Sequence, residues 1–130
     1  MNTRILMMAS AFFLGALGIS FTFLPEEILQ YFHIAENQLL TLLLQVLGAL
    51  YLGFAMLNWM TKNSIMGGIY GRPLVVSNFL HFGVSAIALL KVAFKSDHVS
   101  LVWTWAIFYT ILAITFAYLL FTHPKKQEVA

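Results

Sequence analysis

Charged residues are scarce along this chain, and the gaps between them set its layout. Four uncharged stretches run Ile5–Pro25, Asn37–Thr61, Pro73–Leu90 and Val99–Pro124. Each reaches or approaches the roughly 20 apolar residues that cross a bilayer as a helix. Helices are expected near 3–23, 38–61, 73–94 and 99–122. The stretches are continuous runs, without the alternation that a membrane β-barrel needs. Backbone polar groups in lipid must be satisfied internally, which a helix does by itself. The expected fold is an all-α membrane protein: an antiparallel four-transmembrane-helix bundle forming a single domain over residues 1–130.

Two connections have patterns of their own. In "PEEILQYFHI", 25–34, Pro25 suits the first position of a helix, and Glu26 and Glu27 suit its positive N-terminal end. Ile28, Leu29, Phe32 and Ile34 supply an apolar side, so a short interfacial helix on the outer face is expected. "TKNSIMGGIYG", 61–71, reads as a turn punctuated by Gly67, Gly68 and Gly71, with Pro73 opening the third spanning helix. Arg4 ahead of an apolar run with Ala16, Gly18 and Ser20 also fits a secretory signal. That run is longer than a usual signal core, so a spanning helix is expected instead.

Within the runs, small and polar residues fall at helical spacing. The first helix carries Ala11, Gly15, Gly18 and Thr22, a stripe suited to close helix approach. The second carries Gln38, Thr41, Gln45, Gly48, Tyr51, Ala55 and Asn58. The third carries Ser77, Asn78, His81 and Ser85. The fourth has two such faces, Ala106, Thr110, Ala113 and Ala117, and Thr104, Thr115, Tyr118 and Thr122. Polar side chains are unfavourable against lipid, so these stripes are expected to point inward.

Composition agrees. Of 130 residues, 61% are hydrophobic and 9% charged, against roughly 25% charged in a soluble domain. A net charge of +2 is too small to argue for a nucleic-acid partner. The absence of cysteine excludes disulfides, thiolate metal sites and cysteine nucleophiles. With the N-terminus inside, Arg4, Lys62, Arg72, Lys125 and Lys126 lie on the inner side and Lys91 and Lys95 on the outer. Both termini are therefore expected in the cytoplasm of a bacterial inner-membrane protein. Trp103 and Trp105 then mark the outer interface, and Trp59 and Tyr70 the inner one.

Counting depth at 1.5 Å per residue puts Asn78 and His81 about 7 and 12 Å in from Pro73. Ser10, Asn58, Thr115 and Tyr118 fall in the same inner half, with Arg72 at its mouth. Ser10, Asn58, Arg72, Asn78, His81 and Tyr118 are thus the candidate lining of a polar cavity for a lipid-like or small amphipathic ligand. Each also has a structural reading. His81 could carry protons, ligate metal or haem, or bond a ligand head group; equally, it could be a neutral imidazole bonded to Asn78, Ser77 or a neighbouring helix. Haem between two histidines needs a second one at similar depth, and His33, His98 and His123 lie at the rims or tail. Methionine is the alternative axial ligand. Arg72 could clamp an anionic group beside free backbone N–H groups, or anchor the inner face by snorkelling. Asn58 and Trp59 could floor a pocket, or form an interhelical bond and an interfacial anchor. Glu26, Glu27 and Glu36 lack a calcium-loop pattern, which favours capping and solvation. No carboxylate lies within a span, no Ser–His–carboxylate set is evident, and "GGIYG" lacks the lysine and hydroxyl of a phosphate loop.

The layout resembles small four-helix bacterial membrane proteins of the DoxX-like kind. The likeness rests on "LGALGISFTFLPEEIL", a glycine-rich first helix followed by proline and an amphipathic segment, and on "LLLQVLGALYLGFAMLNW". "GGIYGRPLVVSNFLHF" looks like a family motif as well. The resemblance implies this architecture and, through some relatives, membrane subunits of oxidoreductases. It carries over no catalytic residue. Three functions follow as expectations. The first is a non-enzymatic protein binding a lipid-like ligand or a partner subunit, without a resident cofactor. The second is a transporter or channel, as a homodimer. The third is a quinone-linked subunit with His81 bonding a quinone oxygen.

Overall fold

The structure is a computed structural model; it describes residues 3–35, 37–64, 69, 71–95 and 100–122. Five α-helices account for nearly all of these: α1 (Thr3–Phe23), α2 (Pro25–Tyr31), α3 (Gln38–Thr61), α4 (Gly71–Ala93) and α5 (Ser100–Thr122). The described residues contain no strand. All helices except α2 are long and apolar enough to cross a membrane. The expected all-helical membrane fold is therefore observed. The expected turn at Gly67 and Gly68, Tyr70, Glu36, His98, His123, Lys125 and Lys126 lie outside the described residues.

The chain forms two compact units, Met1–Asn63 and Ser64–Ala130. In the first, α1 packs along α3, and the short α2 rests against both. The pair is antiparallel: residues advancing along α1 meet residues receding along α3. Phe12 meets Trp59, Gly15 meets Ala55, Phe21 meets Tyr51 and Thr22 meets Gly48. The second unit is the antiparallel pair α4 and α5, in which Phe82 meets Tyr109 and Phe116, and Phe94 meets Trp103.

Local chemistry explains the boundaries. The Asn37 side chain caps α3, its Oδ1 accepting from the Leu39 N–H at 2.9 Å. α4 begins at Gly71, two residues ahead of the expected start at Pro73. The first four N–H groups of a helix have no internal acceptor, so a proline in that turn removes no bond. α2 starts on Pro25 as expected but ends at Tyr31, short of the expected 34. It stops in a Schellman motif: the Ile34 N–H donates to the Leu29 carbonyl at 2.9 Å, and the His33 N–H to the Gln30 carbonyl at 2.9 Å. His33 takes the left-handed position usual for glycine, with φ 55°.

The α1–α3 seam runs over the small residues that the sequence places on one stripe. At its tightest point the two backbones nearly touch. A Cβ on Gly18 would lie 2.9 Å from both the Gly48 carbonyl oxygen and the Leu52 nitrogen. A Cβ on Gly48 would lie 2.8 Å from the Thr22 nitrogen and 2.9 Å from the Gly18 oxygen. At each glycine only the missing side chain leaves room for the other's carbonyl oxygen. In lipid, where burial of apolar surface drives little, close approach of this kind is a main source of helix pairing.

Candidate functional site

In the first unit, Ser10 and Asn58 come together as a buried pair. Both are fully enclosed. The Asn58 Nδ2 donates to the Ser10 Oγ at 3.1 Å, and the Ser10 hydroxyl donates onward to the Met7 carbonyl at 3.0 Å. The bond joins α1 to α3 below the glycine crossing. Their polar capacity thus serves the packing of one helix on the other, the structural alternative that the sequence left open for Asn58.

In the second unit, α4 presents its polar residues on one side, as the spacing predicts. Asn78 is fully buried, and its Nδ2 donates to the Leu74 carbonyl one turn back at 3.0 Å. Ser77, His81 and Ser85 flank it and are half-buried. His81 is the only histidine within a spanning helix among the described residues. Its ring lies 5.9 Å from that of Tyr109 on α5, between centroids, at 52°, and 5.0 Å from that of Phe82. Phe82 meets Tyr109 edge-on at 5.5 Å and stacks on Phe116 at 5.6 Å with 11° between planes. Phe82, Phe116 and Tyr109 are buried, so the imidazole borders a packed aromatic column.

Tyr109, Phe82 and Phe116 were not singled out by the polar pattern. The available signal was Ala106, Tyr109, Leu112, Phe116 and Leu119, which recur at steps of three and four and are the residues α5 buries. Arg72 is exposed at the start of α4. Tyr118, expected to face inward, is 56% exposed and belongs to the outer surface of α5. Gln45 is exposed too, in contrast to the inward stripe expected of its helix. At the end of α3, the Lys62 ammonium lies 3.2 Å above the Trp59 ring, which Phe12 meets edge-on at 5.5 Å.

The six candidate lining residues are placed within their own units. Ser10 and Asn58 bond each other, Asn78 and His81 share a face of α4, and Arg72 and Tyr118 are exposed. Among the described residues no three histidine, aspartate or glutamate side chains lie close enough to hold a metal ion. The α4–α5 face offers an imidazole, hydroxyls and aromatic rings, groups that hydrogen-bond and stack. Comparison with protein-family models, curated proteins and solved structures finds no match.

Proposed function

We propose that this integral membrane protein is non-enzymatic and binds a lipid-like or small amphipathic ligand through the His81 face of α4 and α5. The observation that carries the reading is the half-buried imidazole within a spanning helix, bordered by Tyr109 and Phe82. An ionisable residue within a spanning helix is a candidate functional group by default. Ring faces accept an apolar body, while the imidazole and the Ser77 and Ser85 hydroxyls suit a polar head.

The proposal includes an inner-membrane location with both termini in the cytoplasm. Its support is the charge arrangement of the first unit. Arg4 opens α1 and Lys62 follows α3, at the same end of an antiparallel pair; Glu26 and Glu27 lie on α2, at the other end. It also includes kinship with the DoxX-like proteins, supported by the proline-led amphipathic helix after a glycine-rich first span.

The test is native mass spectrometry of the full chain extracted in mild detergent. The expected result is a retained small molecule of constant mass, lost from His81→Ala while helical content is unchanged. A clean spectrum, or equal retention by His81→Ala, overturns the reading.

A further inference from the structure

The two serines beside His81 differ from the threonines of the facing helix. On α5, Thr104, Thr110, Thr115 and Thr122 each donate to the carbonyl four residues back. Ser77 and Ser85 have carbonyls at the same offset, those of Pro73 and His81, yet among the described residues neither makes a hydrogen bond. Ser77 lies one turn before His81 and Ser85 one turn after it, on the same side of α4. All three are half-buried. They form a polar strip about 12 Å long, whose end hydroxyls keep donor and acceptor for a group outside their own helix.

A second observation concerns charge. The strip is centred on the middle of its span, since His81 is the eleventh of the 23 residues of α4. The charged residues of that helix, Arg72 and Lys91, lie about 14 and 15 Å from His81 along the axis. α5 carries no aspartate, glutamate, lysine or arginine. The spans of the first unit add none at mid-depth: α3 has no such residue, and α1 has only Arg4, second in the helix. A charged head group drawn to this level would leave water without gaining a counter-ion. A hydroxyl needs no counter-ion, and like serine and neutral imidazole it both donates and accepts.

We propose that the ligand of this face is an uncharged lipid held through a hydroxyl, such as a long-chain alcohol, and not a fatty acid, a phospholipid or a cationic lipid. The inference rests on the proposed binding at His81 and narrows its ligand. Depth argues against a phospholipid as well as charge does, because its head group belongs at the membrane surface, about 15 Å from mid-span. Tyr109 and Phe82 border the imidazole, so an apolar body can lie against rings while its hydroxyl meets the strip.

The test places the full chain in nanodiscs of zwitterionic phospholipid at mildly alkaline pH. Photoreactive probes share one alkyl chain with a diazirine beside the head: an alcohol, a carboxylate, a quaternary ammonium and the plain hydrocarbon. Specific labelling is that removed by excess unlabelled probe, and mass spectrometry maps it. The expected result is specific labelling of α4 and α5 by the alcohol, at least about tenfold above each of the others. Ser77→Ala combined with Ser85→Ala is expected to lower it roughly fivefold, the scale of two hydrogen bonds within a membrane, with helical content unchanged. Specific labelling by none of the probes overturns this inference and the binding reading together. Labelling by the carboxylate or the ammonium equal to that by the alcohol overturns the uncharged class alone and leaves the site standing. Equal labelling by the hydrocarbon, or alcohol labelling unmoved in the double variant, overturns the part given to the hydroxyl.

Discussion

Two glycines three residues apart on α1 give a sharp test of the α1–α3 seam, because alanine should have opposite effects at them. At Gly18 the new methyl group would meet the Gly48 oxygen and the Leu52 nitrogen at 2.9 Å, and Leu52 Cγ at 2.8 Å. Leu52 Cγ, bonded directly to Cβ, can shift only by a change of the first side-chain torsion, and the backbone atoms move only with their helix. Restoring a contact near 3.4 Å parts the helices locally by about 0.5 Å, enough to forfeit about a quarter of the dispersion energy of each facing atom pair. Overpacking of this kind costs about 1–3 kcal/mol, while alanine's better helix propensity returns about 0.5–1 kcal/mol. The net expectation for Gly18→Ala is a loss of about 0–2.5 kcal/mol, centred above 1. At Gly15 the methyl would find only Ala55 Cβ at 3.7 Å, an ordinary contact. Gly15→Ala should therefore be neutral or more stable than wild type. The propensity gain is common to both variants, so the difference between them, about 1–3 kcal/mol, isolates the steric contribution. Unfolding by SDS in mixed micelles, followed by circular dichroism, measures it. Gly48→Ala perturbs the same crossing, so combining it with Gly18→Ala should cost less than the sum of the two. Equal stability of Gly15→Ala and Gly18→Ala would refute the close backbone approach.

Two further outcomes are expected. His33→Gly should strengthen the end of α2 by about 0.5–1 kcal/mol, because a left-handed position disfavours a side chain and glycine's extra unfolded freedom offsets only part of the gain. His33→Val should weaken it; hydrogen exchange at the His33 and Ile34 amides reads both, and unchanged protection in both variants contradicts the left-handed cap. For orientation, a thiol at Asn63 should react with an impermeant maleimide only after the membrane is opened, while one at Gln30 should react from outside in intact cells; the reverse pattern rejects cytoplasmic termini.

The spans were legible because lipid imposes a crude rule: about 20 residues without charge. The start of α2 was legible in Pro25, Glu26 and Glu27, and the α1 stripe in Ala11, Gly15, Gly18 and Thr22. The inward faces of α5 were not. The polar pattern places its threonines inward, away from lipid. In the structure Thr104, Thr110, Thr115 and Thr122 each donate to the carbonyl four residues back, so their hydroxyls are satisfied wherever they point. Shape then decides, and the large residues Tyr109, Leu112, Phe116 and Leu119 turn inward instead. Tyr118 follows the threonine face outward for the same reason. The left-handed turn at His33 was hidden because its marker is normally glycine.

The bond between Ser10 and Asn58 bears on how the protein enters a membrane. Both partners belong to the first unit, which ends at Asn63, so a nascent chain emerging to that point already carries the donor and the acceptor. An asparagine arriving alone in hydrocarbon would be a poor candidate for release from the insertion machinery. Here its acceptor precedes it by 48 residues, already within α1. The first pair can thus enter the bilayer with this asparagine already bonded inside its own hairpin.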